Sequence, residues 1–269
     1  MKIINRIYND WNNKQIATLK SQGFSVKKGY DSIDIEENEL NKKILTIIDE
    51  WGLEKFYWTD YCKEDYLHSS FFAFVSTWIN GYPMPDLNGK YLDITYNIDK
   101  YCEVCGLGKN QKAPFRIKSE PKWGSKSLFE LNWVYDEIFV RKDIYEILFK
   151  NKGLKCREVL LYKKETIIEN TVQLIVPVID ISLDMSDHPF ELCVKCNRKK
   201  YSPATKGFFP QFVRKPPEGL EIFKSKEFFG YGAESFNRIF ITKNIWEEFK
   251  KIKINPNIWP LSVIGMQAS

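Results

Sequence analysis

Two short turns ninety-one residues apart constrain this chain more than any other feature. Tyr101–Gly108 reads Y-C-E-V-C-G-L-G, and Leu192–Lys199 reads L-C-V-K-C-N-R-K. Each is a C-x-x-C turn, and together they use four of the six cysteines. Two such pairs read as the halves of one tetrahedral zinc site, with Cys102, Cys105, Cys193 and Cys196 as ligands. Their separation far exceeds the roughly 15–20 residues of a compact zinc ribbon, so the ion would staple distant segments. Zinc held by four thiolates has no open coordination position, so the expected Zn2+ is structural and not catalytic. The residue after the second cysteine of such a knuckle sits at positive φ. Gly106 and Asn197 are the residue types that tolerate it. A redox pair or unliganded thiols are the alternatives, but a thioredoxin-like pair opens a helix, and neither turn precedes a helical pattern. His188, near the second pair, is a weaker candidate ligand. Cys62 and Cys156 read as ordinary buried thiols.

A repeat follows the two turns. Asp136–Lys150 (D-E-I-F-V-R-K-D-I-Y-E-I-L-F-K) matches Asn237–Lys251 (N-R-I-F-I-T-K-N-I-W-E-E-F-K-K) at an offset of 101. Ile138/Ile239, Phe139/Phe240, Lys142/Lys243 and Ile144/Ile245 are identical pairs. Tyr145/Trp246 and Leu148/Phe249 are conservative ones. The shared content is an apolar strand, a turn and an amphipathic helix. The spacing predicts a duplicated unit, residues 101–155 and 192–255, with the metal at the junction.

The remaining pattern is α+β: mixed sheets with flanking helices, and two related half-units stapled by the four-cysteine zinc-knuckle pair. Residues 1–100 read as an acidic, aromatic-rich α/β segment and 101–269 as the duplicated region. Asn9 or Asp10 is expected to cap a first helix ending at Gly23. Leu40–Trp51 is a clear amphipathic helix stopped by Gly52. Phe24–Ile35 reads as a short hairpin or edge strand, and Phe56–Thr59, Phe71–Ile79, Tyr91–Tyr96, Phe115–Lys118, Leu128–Val134, Val159–Tyr162 and Thr171–Ile181 are predicted strands, the last bent or at an edge because of Pro177.

Catalytic material is sparse. With two histidines there is little for a triad or hydrolase cluster, and the metalloprotease, nucleophile-elbow and phosphate-loop patterns are missing. No apolar run approaches the roughly 18–20 residues of a membrane span, and nothing reads as an export signal, so a cytoplasmic, non-enzymatic protein is expected. Net charge is only +5 but unevenly spread. Asp31–Asp65 holds eleven acidic residues against four lysines, whereas Lys195–Lys226 holds nine basic against two acidic. Such polarity suits recognition of a charged partner. The second knuckle, with Phe208, Phe209, Phe212 and Arg214, also admits an alternative reading as a zinc-ribbon nucleic-acid binder.

The two spaced knuckles, the Gly230/Gly232 turn and the strand and helix after it resemble the double-CXXCG motif proteins over Tyr101–Trp259. C-E-V-C-G fits that motif fully, while C-V-K-C-N departs at Asn197. That resemblance implies a bacterial immunity protein that neutralises a cognate toxin by binding it. An interface is then expected on the acidic, aromatic stretch Asp60, Tyr61, Glu64, Asp65, Tyr66 and Phe72, opposite a basic toxin domain.

Overall fold

The computed structural model describes residues 1–203 and 205–261. The chain forms two compact units: Met1–His68 with Thr205–Phe209, and the rest of the described chain from Ser69. The class is α+β, mostly strands in curled mixed sheets with few helices.

The first unit opens on a strand, β1 (Lys2–Trp11), not on the predicted helix. Ile7 and Trp11 face inward with an even spacing, which suits a strand. The helix starts two to three residues later than expected. Asn12 accepts from Gln15 N while the Gln15 side chain accepts from Asn12 N, a capping box that launches α1 (Asn13–Ser21). Then come β2 (Gly29–Glu36), α2 (Lys42–Glu50), β3 (Phe56–Asp60) and α3 (Lys63–His68). The strands form an antiparallel sheet in the order β2-β1-β3. Ile33 and Ile35 join Ile7 and Trp11 in packing on Leu19, Ile44 and Ile48 of the helices, which leaves the other sheet face open.

The second unit continues through β4 (Phe71–Ser76), β5 (Trp78–Ile79), α4 (Tyr91–Thr95), β6 (Tyr96–Asn97), β7 (Asn110–Gln111), β8 (Arg116–Ile117), β9 (Leu128–Leu131) and β10 (Val134–Arg141). Tyr91–Tyr96 is thus mostly helix, where a strand was predicted. Within α4 the buried residues, Tyr91 and Thr95, lie four apart on one helical face. After β10, α5 (Lys142–Ile144) runs into a π-helical turn, Tyr145–Phe149, and a 3-10 turn, Lys150–Lys152. Next are β11 (Lys155–Leu161), β12 (Thr166–Ile175), β13 (Phe190–Leu192), β14 (Lys199–Tyr201), β15 (Ile222–Phe229), β16 (Phe236–Thr242), α6 (Lys243–Lys251) and β17 (Asn257–Pro260). They build two six-stranded sheets, β5-β9-β10-β12-β11-β8 and β13-β14-β15-β16-β4-β17.

The pairing pattern of one sheet recurs in the other. Leu128 and Phe129 oppose Val140 and Phe139, as Ile222 and Phe223 oppose Ile241 and Phe240. On the far side Val140 meets Val172, as Ile241 meets Phe72. So β12 and β4 hold the same place, each between the hairpin strand and the strand that follows the helix, β11 or β17. Each then crosses over. Trp78, after β4, pairs in parallel with Phe129, and Val178, after β12, bridges in parallel to Lys224. So β4 and β12 each sit in one six-stranded sheet, while the residues just after them pair into the other.

Matching residues also meet one another. The rings of Tyr135 and Phe236 lie 5.5 Å apart, and Asn237 N donates to Asp136 Oδ2 at 3.4 Å. The fixed offset of 101 fails inside the helix, however. Leu154 N donates to Phe149 O, as Ile254 N donates to Phe249 O, so Phe249 corresponds to Phe149 and not to Leu148. The first strand–helix segment is thus one residue longer than the second up to this phenylalanine, and the π turn lies within that stretch.

Candidate metal centre

Both knuckles fold by the same backbone bonds. Cys102 N donates to Leu107 O at 2.9 Å and Gly106 N to Cys102 O at 2.7 Å. Cys193 N donates to Arg198 O at 3.0 Å and Asn197 N to Cys193 O at 2.8 Å. Gly106 and Asn197 sit at φ +76° and +56°, the conformation expected of them. Gly106 has a second reason to lack a side chain: a Cβ there would fall 2.2 Å from Ala233 O.

The turns meet sulfur to sulfur. Cys102 Sγ lies 3.7 Å from Cys193 Sγ, and Cys105 Sγ lies 3.6 Å from Cys196 Sγ. All four sulfurs fall within 4.8 Å of one another, and all four thiols are free. Four sulfurs about 2.3 Å from a central ion span edges of about 3.7–3.8 Å, so the cluster has the size of a tetrahedral thiolate cage and can hold a metal ion.

The surroundings favour a thiolate at Cys102 and Cys196 and oppose one at Cys105. Arg198 Nε donates to Cys196 Sγ at 3.2 Å, while its Nη2 donates to the carbonyls of Lys100 and Leu107. That guanidinium pulls the Cys196 thiol down to about 6. The Cys105 backbone N–H lowers Cys102, whereas burial pushes Cys105 up to about 12. Lys200, 1% exposed, donates from Nζ to the carbonyls of Cys105, Gly232 and Glu234 and pairs with Glu191. Ser235 Oγ donates to Gly106 O at 2.7 Å. The turns are thus tied to the hairpin preceding β16 as well as to each other. His188 Nε2 instead meets Ser202 O at 2.8 Å.

The residues expected at an interface are scattered. Phe72 is fully buried in β4, its ring 4.8 Å from that of Trp246, so this fold removes it from any binding surface. Tyr61 donates to Gly207 O at 2.7 Å, and burial pushes its phenol up. Its ring lies 6.0 Å from that of Tyr66. Asp65 pairs with the amino terminus at 3.0 Å and accepts from Cys62 N. Asp60, at the end of β3, and Glu64, in α3, are exposed. Cys62 is exposed as well, not buried as expected.

Unanticipated from the sequence is the open face of the first sheet. Tyr8, Tyr30, Phe56 and Trp58 line it, with Tyr30 79% exposed. Tyr8 lies 6.3 Å from Tyr30 and 5.9 Å from Phe56, and Arg6 stacks over Trp58 at 4.9 Å. The signal was the alternation in Lys2–Trp11, which places aromatic and charged residues in the phase opposite to Ile7 and Trp11.

The basic, aromatic second-knuckle stretch is largely engaged. Lys195 pairs with Glu103, Lys200 is buried, and Lys199 sits over the Phe190 ring at 4.0 Å. Phe209 and Phe212, read as stacking platforms, are core residues. Among the described residues no helix is long and apolar enough to cross a membrane. Compared with protein-family models, with curated proteins and with solved structures, the chain gave no match.

Proposed function

We propose that Cys102, Cys105, Cys193 and Cys196 hold one structural Zn2+. Soft sulfur donors at tetrahedral spacing favour that ion, and it supplies a cross-link, leaving no position for a substrate. The ion staples two related half-units, Phe71–Leu161 and Thr166–Pro260. The twin knuckles, the recurring strand pairings and the meeting of matching residues support that reading.

On this scaffold the chain is a non-catalytic, cytoplasmic protein-binding protein, an immunity-type inhibitor that neutralises a toxin by direct binding, in keeping with the double-CXXCG resemblance. The observation that carries the binding role is the open aromatic face of β2-β1-β3. Rigid aromatics on a sheet are suited to anchor an interface, and Asp10, Asp34, Glu36 and Asp60 belong to the same strands and would oppose a basic partner.

The test has two readouts. Protein purified without added metal should contain about one zinc per chain. The zinc-loaded chain should form a complex with the purified product of the gene immediately upstream of its own. A Tyr30→Ala, Phe56→Ala variant of unchanged melting temperature should lose at least roughly tenfold in affinity. Negligible zinc sinks the staple. An absent complex, or one indifferent to both substitutions, sinks the binding role, and salt-sensitive binding to a generic oligonucleotide in its place favours the nucleic-acid reading.

A further inference from the structure

The two proposed halves of the second unit differ at one pair of matching grooves. Arg141 N donates to Ser127 O at 3.0 Å, as Thr242 N donates to Glu221 O at 2.9 Å, so Ser127 and Glu221 stand at the same place. Past the helices, Gly153 N donates to Lys150 O and Lys253 N to Lys250 O, which makes Lys152 and Ile252 counterparts.

In one groove the matched positions satisfy each other. Lys152 Nζ pairs with Glu221 at 2.5 Å and with Glu248 at 3.2 Å, and the groove there is about 250 Å3. In the other, Ser127 and Ile252 cannot make that network, and the groove opens to about 850 Å3, within the range of small-molecule sites. Its lining carries Lys126, Arg141 and Lys253 and no carboxylate. Arg141 is paired with the nearby Asp143 at 2.6 Å, whereas Lys126 and Lys253 have no carboxylate partner among the described residues.

Lys253 lies at φ +60° where α6 ends, the left-handed cap position that its counterpart Gly153 fills at φ +75°. Trp78, held edge-on against Trp123 and Phe129, forms part of the apolar wall.

We propose that this groove binds a small organic anion, a phosphate or carboxylate carried on a flat ring, with Lys126 and Lys253 meeting the charge and Trp78 beside the ring. The twin groove is the same construction closed by its own ion pairs.

Calorimetric titration of the full zinc-loaded chain tests this with AMP and 4-hydroxybenzoate as anionic ring probes, and with adenosine and inorganic phosphate as half-probes. At least one anionic ring probe should bind saturably, and more tightly than either half-probe. Lys126→Ala with Lys253→Gly should weaken it by at least roughly tenfold, as expected for lost charge-assisted bonds. The glycine suits the backbone at that position, so the fold should survive, which the melting temperature checks. Lys155→Ala, in the twin groove, should leave binding unchanged. No saturable binding of either anionic ring probe, or affinity untouched by the double variant, overturns the proposal.

Discussion

The ring of Phe149 lies 6.2 Å from that of Phe249 at an interplanar angle of 75°. Each closes its helix by accepting, at its carbonyl, the amide of the residue five positions on. Two residues reached by different chain lengths thus meet as partners. From Lys142 to Phe149 is one residue longer than from Lys243 to Phe249, and the π turn takes up the excess. Deleting the exposed Ile147 should convert this helix to the regular form of its twin, with the melting temperature held within about 5 °C. Deleting Glu247 should rotate Phe249 by about 100° off its buried site and cost about 3–5 kcal/mol. Equal losses from the two deletions would contradict the insertion account.

Removing one sulfur tests the cluster. If the four cysteines hold zinc as proposed, Cys193→Ser should abolish stoichiometric zinc and lower the melting temperature by on the order of 10 °C, because the energy of filling such a cage is folding energy. A chelator should destabilise the parent chain similarly and the variant little. Metal analysis and thermal unfolding read both, and an unaltered melting temperature would remove the staple.

Lys224 and Glu137 form a buried pair at 2.7 Å that ties β15 to β10, with Asp136 at 3.9 Å. Gln173 Nε2 also donates to Glu137 at 2.8 Å. Lys224→Met alone strands the carboxylates in the interior and should cost about 3–5 kcal/mol. Adding Glu137→Gln, whose amide oxygen still accepts from Gln173, should recover much of that. Denaturant unfolding of the four proteins in the cycle measures the coupling, and simple additivity would refute it.

Glu130 gives a pH signature. Its carboxyl is buried in β9, accepts from Thr77 N at 2.8 Å, and is pushed by burial from the ordinary 4.5 up to about 7. Because the folded value is the higher one, the unfolded chain releases this proton first. The contribution to stability is full below about 4.5, declines as pH rises, and is gone above about 7. Glu130→Gln removes that dependence. The stability gap should therefore move in the variant's favour by roughly 3 kcal/mol between pH 4.5 and 8, followed by guanidinium unfolding at several pH values. A gap flat across that range would disprove the shift.

Much of the scaffold was legible in the linear chain. Knuckle chemistry is local, so the C-x-x-C spacing with Gly106 and Asn197 identified four cysteines that the fold brings within 4.8 Å of one another. The strand–helix repeat was equally local, and it located β10 and β16 with the helices after them. The shift from Leu148 to Phe149 was invisible, because a single inserted residue leaves both alignments plausible until the helix geometry chooses.

Tertiary structure alone decided the rest. Phe71–Ser76 is apolar on both faces, so no periodicity tells which strand it joins, and only the register with Ile241 places Phe72 in the core. The exchange of β4 and β12 between sheets depends on partners more than a hundred residues away in one case. The open face of the first sheet and the cationic groove arise the same way. Each residue there is ordinary in sequence and becomes distinctive through what the fold leaves opposite it. The pair of cysteine turns and the repeated strand and helix are set by residues close together in the chain, which is why they could be read from it directly. Where the surfaces lie followed from long-range pairing, whose energetics are set by neighbours the chain does not list in order.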